Sequence, residues 1–201
     1  MLYLSCMVTP AGKLATYEDL LHLGQDVRAE IIAGHVVVTP APLPRHSNSQ
    51  GSLRRFIGGP FHDDDGRGGP GGWWIFVEVD VRLAAHDIVR PDLAGWRRDR
   101  LPRPGNIRPI EVPPDWVCEV CSPSTEAQDR VTKRALYAKH GVTHDWIVDP
   151  EARTVEALEL QAGRWVELGA WDDTAMARIP PFSEVELELA RLFLPHDADG
   201  Q

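Results

Sequence analysis

The 201-residue sequence predicts one α/β domain with a central mixed β-sheet flanked by helices. Three observations carry that expectation. The length suits one well-packed domain better than two. Apolar residues make up 43% of the chain and charged residues 25%, the ordinary balance of a globular protein. β-branched runs alternate with capped helical stretches, and no internal repeat or low-complexity linker interrupts them. The domain is expected over 16–194, after a flexible start at 1–15 and before a disordered tail at 195–201.

Thr16 ahead of YEDLLHL supplies an N-cap with Asp19 in the first turn, which predicts a short helix near 17–23. VRAEIIAGHVVVTP is β-branched and broken by Ala33-Gly34, so strands at 27–32 and 35–39 form an N-terminal β-hairpin. The prolines of PAPLP donate nothing to a ladder and halt the second strand. A helix over 44–57 follows, weakened by Gly51, and FHDDDGRGGPGG is then a loop without regular structure. WWIFVEVDVRL alternates, with Ile75, Val77, Val79, Val81 and Leu83 on one face and Glu78, Asp80 and Arg82 on the other. That predicts one half-buried strand. IVRPDLAGW reads as another strand, its internal proline marking an edge or an irregular entry. After a proline-rich loop at 102–114, DWVCEV is a strand, and SPST caps a helix over 126–140 that ends at Gly141. HDWIVDP and TVEALEL read as two more strands meeting near Pro150-Glu151.

Charge and cysteine content narrow the function. A net charge of −9 opposes a protein that coats nucleic acid nonspecifically, so such a contact needs a local basic patch. Three cysteines make no disulfide framework, which points to a reducing cytoplasm. The stretch MLYLSCMVTPAGK has no basic residue before its apolar run and reads as neither a secretory signal nor a membrane span.

Strand parity raises a question about acids. In 115–121, Asp115, Val117, Glu119 and Cys121 share one face, while Trp116, Cys118 and Val120 share the other. Asp92 shares a face with Ala94 and Trp96, and Glu30 lies opposite Ala29 and Ile31. Each of three strands thus carries one carboxylate in an apolar setting. Taken singly, each acid fits a solvated or arginine-paired strand end. Taken together, they fit convergence on a divalent cation, whose charge offsets their burial. Hard carboxylate oxygens without paired His or Cys ligands suit Mg²⁺ or Mn²⁺ rather than zinc.

PD followed 27 residues later by E-V-C resembles the PD-(D/E)XK nuclease superfamily, with Cys121 in the usual lysine position. More narrowly, the chain resembles a restriction endonuclease family long catalogued as a domain of unknown function. The resemblance lies in AEIIAGHVVVTPAPLPRH, VRPDLAGW, PPDWVCEVCSPST, DRVTKRALYAKHGV and HDWIVDP, in order over most of residues 27–150. It implies a restriction-endonuclease-like fold and a Mg²⁺-dependent endonuclease acting on DNA as a homodimer. It carries Asp92 and Glu119 across as metal ligands, with the Val120 carbonyl beside them, and Glu30 as the third acid. Lys133 matches the family's helical lysine and stands in for the missing strand lysine, with Asp129 one turn earlier to orient it. His46 falls where the family frequently has histidine, lining the groove or starting a helix. The chain departs from the family at His35 in the hairpin and at Asp145, where tyrosine is usual.

Positive charge to steer a substrate is available in WRRDRLPRPGNIR, residues 96–108, with five arginines against one aspartate. Arg97, Arg98 and Arg100 are its candidate phosphate contacts, the alternative being a solvated loop. Trp96 could stack on a base or fill a core. Cys118 and Cys121 point to opposite faces of a strand and do not chelate one ion together. HDDDG lacks the remaining ligands of a calcium loop, and Gly141 separates His140 from His144. Two rival functions remain from other classes: a catalytically inert scaffold that binds nucleic acid or a protein partner, favoured by Cys121, and a metal-dependent phosphoesterase acting on nucleotides.

Overall fold

The computed structural model describes residues 13–24, 27–122 and 125–195. The tail expected from 195, all but its first residue, lies outside the described residues, as do 1–12 of the expected flexible start and 123–124 of the SPST cap. Helix α1 (Tyr17–Leu21) begins where the cap predicts, with the Thr16 N–H donating to the Asp19 carboxylate at 2.7 Å. Strands β1 (Ala29–Ile32) and β2 (His35–Val38) form the hairpin. Ala33 and Gly34 both hold positive φ, 51° and 78°, the geometry of a two-residue turn matched to strand twist.

Three expectations need correction. Helix α2 (Pro44–Leu53) does not stop near 57 but widens into a π-helical segment, Arg54–Asp63, inside the expected loop. Ile57 and Phe61, one turn apart and fully buried, anchor that extension on the core, and the wider winding accommodates Pro60. WWIFVEVDVRL is two strands in two sheets, β3 (Trp73–Val77) and β4 (Val81–Ala84). Glu78 between them has φ 51°, which breaks the alternation, so Ile75 and Val81 are buried while Val77 is exposed. Pro91 likewise separates β5 (Asp87–Val89) from β6 (Leu93–Arg97), which makes the irregular entry a crossing between sheets.

Strand β7 (Trp116–Val120) leads to a π-helical segment, Gln128–Lys133, that runs into α3 (Arg134–Lys139). Strands β8 (His144–Asp149) and β9 (Thr154–Gln161) follow. Beyond residue 161 the sequence pattern announces no element, yet β10 (Arg164–Asp172) pairs with β9. The short pair β11 (Met176–Ala177) and β12 (Leu187–Glu188) and a 3₁₀ turn, Leu189–Leu192, complete the described chain.

The larger sheet has the order β10-β9-β8-β7-β6-β3 and the smaller β2-β1-β5-β4. In the larger, β7 and β8 run parallel and the other neighbours antiparallel, so it is mixed as expected. One face packs Trp73, Trp116, Trp146 and Val148 against Leu53, Ile57 and Phe61 and against Phe182, Leu189 and Leu192 from the C-terminal stretch. The other packs Ala94, Trp96 and Val117 against Leu136, Tyr137 and Val142. These two layers hold the ends of β6 and β7 rigidly. No helix among the described residues is long and apolar enough to cross a membrane.

Candidate active site at the seam of the two sheets

Antiparallel pairing of β6 and β7, with Leu93 opposite Cys118, sets Asp92 beside Glu119 where one strand begins and the other ends. The Asp92 N–H faces Glu119 Oε2 at 3.4 Å, and the Val120 N–H donates to Asp92 Oδ2 at 2.8 Å. The expected parity of β7 holds. Trp116, Cys118 and Val120 enter the large core, and Glu119 turns to the opposite face, toward α3. Glu30 arrives from the smaller sheet, where its Oε1 accepts the Arg90 N–H at 2.6 Å.

Lys133 ties these acids together. Its Nζ lies 3.0 Å from Glu30, 3.2 Å from Glu119 and 3.4 Å from Asp129. Glu30, Asp92, Glu119 and Lys133 therefore line one cavity of about 430 Å³, with Val120, Arg28 and His46 also on its wall. The residues singled out as catalytic or metal-ligating meet here. Arg97, Arg98 and Arg100 do not. They lie at the far end of β6, about 17 Å away at some 3.4 Å per residue. Arg97 and Arg98 cover the Trp73 and Trp74 rings, Arg98 pairs with Asp65, and Arg100 pairs with Asp115. Trp96 is a core residue, fully buried with its indole N–H on the Val112 carbonyl.

The cavity floor is electrostatically unbalanced. Burial pushes the Glu119 carboxyl well above the usual range, Lys133 opposing it and Asp129, Asp92 and Glu30 adding to it. Burial likewise pushes Asp129 up to about 6. Burial works against the Lys133 charge, but the surrounding carboxylates outweigh it and hold the ammonium protonated above its ordinary range. Three carboxylates thus pair with one buried ammonium, while Asp92 stands beside Glu119 with Arg28 at 3.7 Å. That excess of negative charge is what a divalent cation would neutralise.

Among the described residues, no three His, Cys, Asp or Glu side chains are grouped as a metal cage. Mg²⁺ does not require one, since it keeps several waters and binds through one or two carboxylates. Asp92 and Glu119 are hard oxygen donors on the cavity wall and fit an ion held in that way. Cys121 is buried and desolvation pushes its thiol up, which keeps it neutral, and neither form of a thiol carries the positive charge of the strand lysine.

Three residues of the site escaped the sequence reading. Tyr137 donates its hydroxyl to Glu119 Oε1, and Gln50 and Arg28 approach Asp92. Tyr137 stands four positions after Lys133 and Gln50 four after His46, so helical spacing could have flagged both. Arg28 carried no such signal.

A family model described as "Uma2: Putative restriction endonuclease" matches residues 14–191. Among solved structures, the chain is similar to one titled a putative nuclease belonging to DUF820 from Anabaena variabilis. The TM-score is 0.68 at 26% identity, covering 89% of this chain and 97% of that one. A search of curated proteins finds no match. The mixed sheet and its flanking layers belong to a restriction-endonuclease-like fold, and the chain is a member of the Uma2 family.

Proposed function

We propose that this protein is a divalent-metal-dependent endonuclease that hydrolyses DNA phosphodiester bonds in the cavity lined by Asp92, Glu119, Glu30 and Lys133. The convergence of those four side chains from two sheets and a helix carries the reading. Membership of a family described as restriction endonucleases supports it. Asp92 and Glu119 would hold Mg²⁺ or Mn²⁺, with the Val120 carbonyl beside them. When bound, such an ion acidifies its water and screens the phosphoryl oxygens.

The chain's own groups do the rest. Lys133 presents a protonated amine to charge developing on the phosphate. Glu30 and Asp129 keep that amine in place, and Glu30 would also orient outer water or a second ion. Tyr137 occupies Glu119 Oε1 and leaves Oε2 toward Asp92. Arg97, Arg98 and Arg100 would meet phosphates about five base pairs from the cut, by their distance along β6. A homodimer would bring two such cavities to two strands. The buried free thiols of Cys118 and Cys121 support a reducing cytoplasm as its setting.

Asp92→Ala and Glu119→Ala are each expected to abolish chelator-sensitive cleavage of plasmid DNA while unfolding stays cooperative. Parent-level cutting by either variant would refute the site. A second reading, an inert scaffold that binds nucleic acid or protein, is favoured by Cys121 and by the way Lys133 already pairs three of the acids. An inert scaffold would lack a millimolar-or-better Mn²⁺ site that depends on Asp92.

A further inference from the structure

The buried stripe of α2 is His46, Ser49, Gln50 and Leu53, spaced as the core-facing side of a helix. Leu53 enters the large core, and Ser49 Oγ donates to the Leu192 carbonyl at 2.9 Å. His46 and Gln50 turn instead to Asp92. His46 Nε2 lies 3.2 Å from Asp92 Oδ2. Gln50 Nε2 lies 3.4 Å from Oδ1, 3.3 Å from the Asp92 carbonyl and 3.0 Å from Glu78 Oε1. Three oxygen acceptors around one amide end leave no other orientation for that NH₂. His46 is nine-tenths buried, and its Nδ1 has no partner among the described residues. Placing an imidazole there for packing alone would leave that cost unexplained.

We propose that His46 and Gln50 are positioning residues that fix the plane of the Asp92 carboxylate and leave one lone pair for a cation. The proposal rests on reading Asp92 as a cation ligand. A carboxylate has about four acceptor positions. The Val120 N–H and His46 take those of Oδ2, and Gln50 takes one on Oδ1. Among the described residues, the fourth meets only Arg28 Nη2, at 3.7 Å the longest of these contacts. It is the position a cation can claim without dismantling the others. Outer partners of this kind typically govern about 10–100-fold of metal affinity.

Calorimetric Mn²⁺ titration of the full chain tests this. His46→Ala and Gln50→Leu should each weaken Mn²⁺ binding by about 10–100-fold with unfolding still cooperative. His46→Gln, whose amide N–H can reach the same oxygen, should recover most of the loss. Ser49→Ala, which loosens α2 without touching Asp92, should lower Tm but leave Mn²⁺ affinity as in the parent. If Asp92→Ala abolishes binding while His46→Ala and Gln50→Leu bind as the parent does, the positioning roles fall alone. They fall too if Ser49→Ala weakens binding as much as His46→Ala. If the parent binds no Mn²⁺, or Asp92→Ala binds it undiminished, the metal reading falls and takes this proposal with it.

Discussion

Asp145 shows how far a single buried charge is tolerated away from the cavity. Its Oδ2 accepts from Arg134 Nε at 3.1 Å, while its Oδ1 has no partner among the described residues. Burial pushes its carboxyl up to about 6, Arg134 opposing the shift. Because the folded value lies above the unfolded one of about 3.9, the stability it contributes is present below about pH 4. That stability is lost as pH rises through 6. Asparagine in its place keeps an acceptor for Arg134 and does not titrate. The Tm of the parent minus that of Asp145→Asn is therefore expected to fall between pH 4 and 6 and to level off above. The whole change is at most about 3 kcal/mol. Thermal unfolding across that range checks it, and a flat difference would mean that Asp145 titrates normally. At the same scale, Glu119 and Asp129 are raised by the same cause, but Lys133 stands between them.

At the scale of the element, β6 owes its fit to a glycine. Gly95 lies opposite Trp116 on β7 and Ile75 on β3. A Cβ there would meet Trp116 Cε3 at 3.0 Å and Trp73 Cε3 at 3.3 Å. Neither ring has room to yield, since each packs on Phe182 with centroids 4.9 Å apart. Gly95→Ala is expected to destabilise by about 1–3 kcal/mol through overpacking, against the small gain alanine normally brings to a strand. Urea denaturation measures it, and a neutral result would mean that the aromatic layer repacks freely. The same strand carries Asp92 at its entrance, so loosening β6 should also blur the cavity.

At the scale of the whole molecule, the cavity lies on the seam where the chain passes between sheets, at Glu78 and again at Pro91. Asp92 and Glu119, which would hold a cation there, stand at the ends of two strands, in a cavity also lined by Glu30 of the smaller sheet. Saturating Mn²⁺ should therefore raise the Tm of the parent, by about 2.7 kcal/mol of stability at a hundredfold excess over Kd. Asp92→Ala should show no such rise. An equal rise in both would place the stabilising ion elsewhere.

The sequence made much of this legible, for identifiable reasons. The N-cap at Thr16, the Ala33-Gly34 turn and the alternation in DWVCEV are local signals, and each became the expected element. The strand broken at Glu78 was illegible because nothing in an alternating run announces one left-handed residue. The helix extension through Phe61 was illegible because glycine and proline weigh locally, whereas the core that holds Phe61 is assembled from distant segments. In the site, Asp92, Glu119, Glu30 and Lys133 stood out by parity and by resemblance, Gln50 and Tyr137 were marked only by helical spacing from His46 and Lys133, and Arg28 gave no comparable mark.

By itself the sequence set Glu119 on the face of β7 opposite Trp116, Cys118 and Val120, because the period of a strand assigns faces without reference to any partner. It did not mark Asp80 or Asp145 as buried. Tertiary structure alone decided that Lys133 meets three carboxylates, that α2 grips Asp92, and that the arginines of 97–100 lie a strand's length away. Those are distances between segments far apart in the chain, and they are set by how the two sheets and their helices pack.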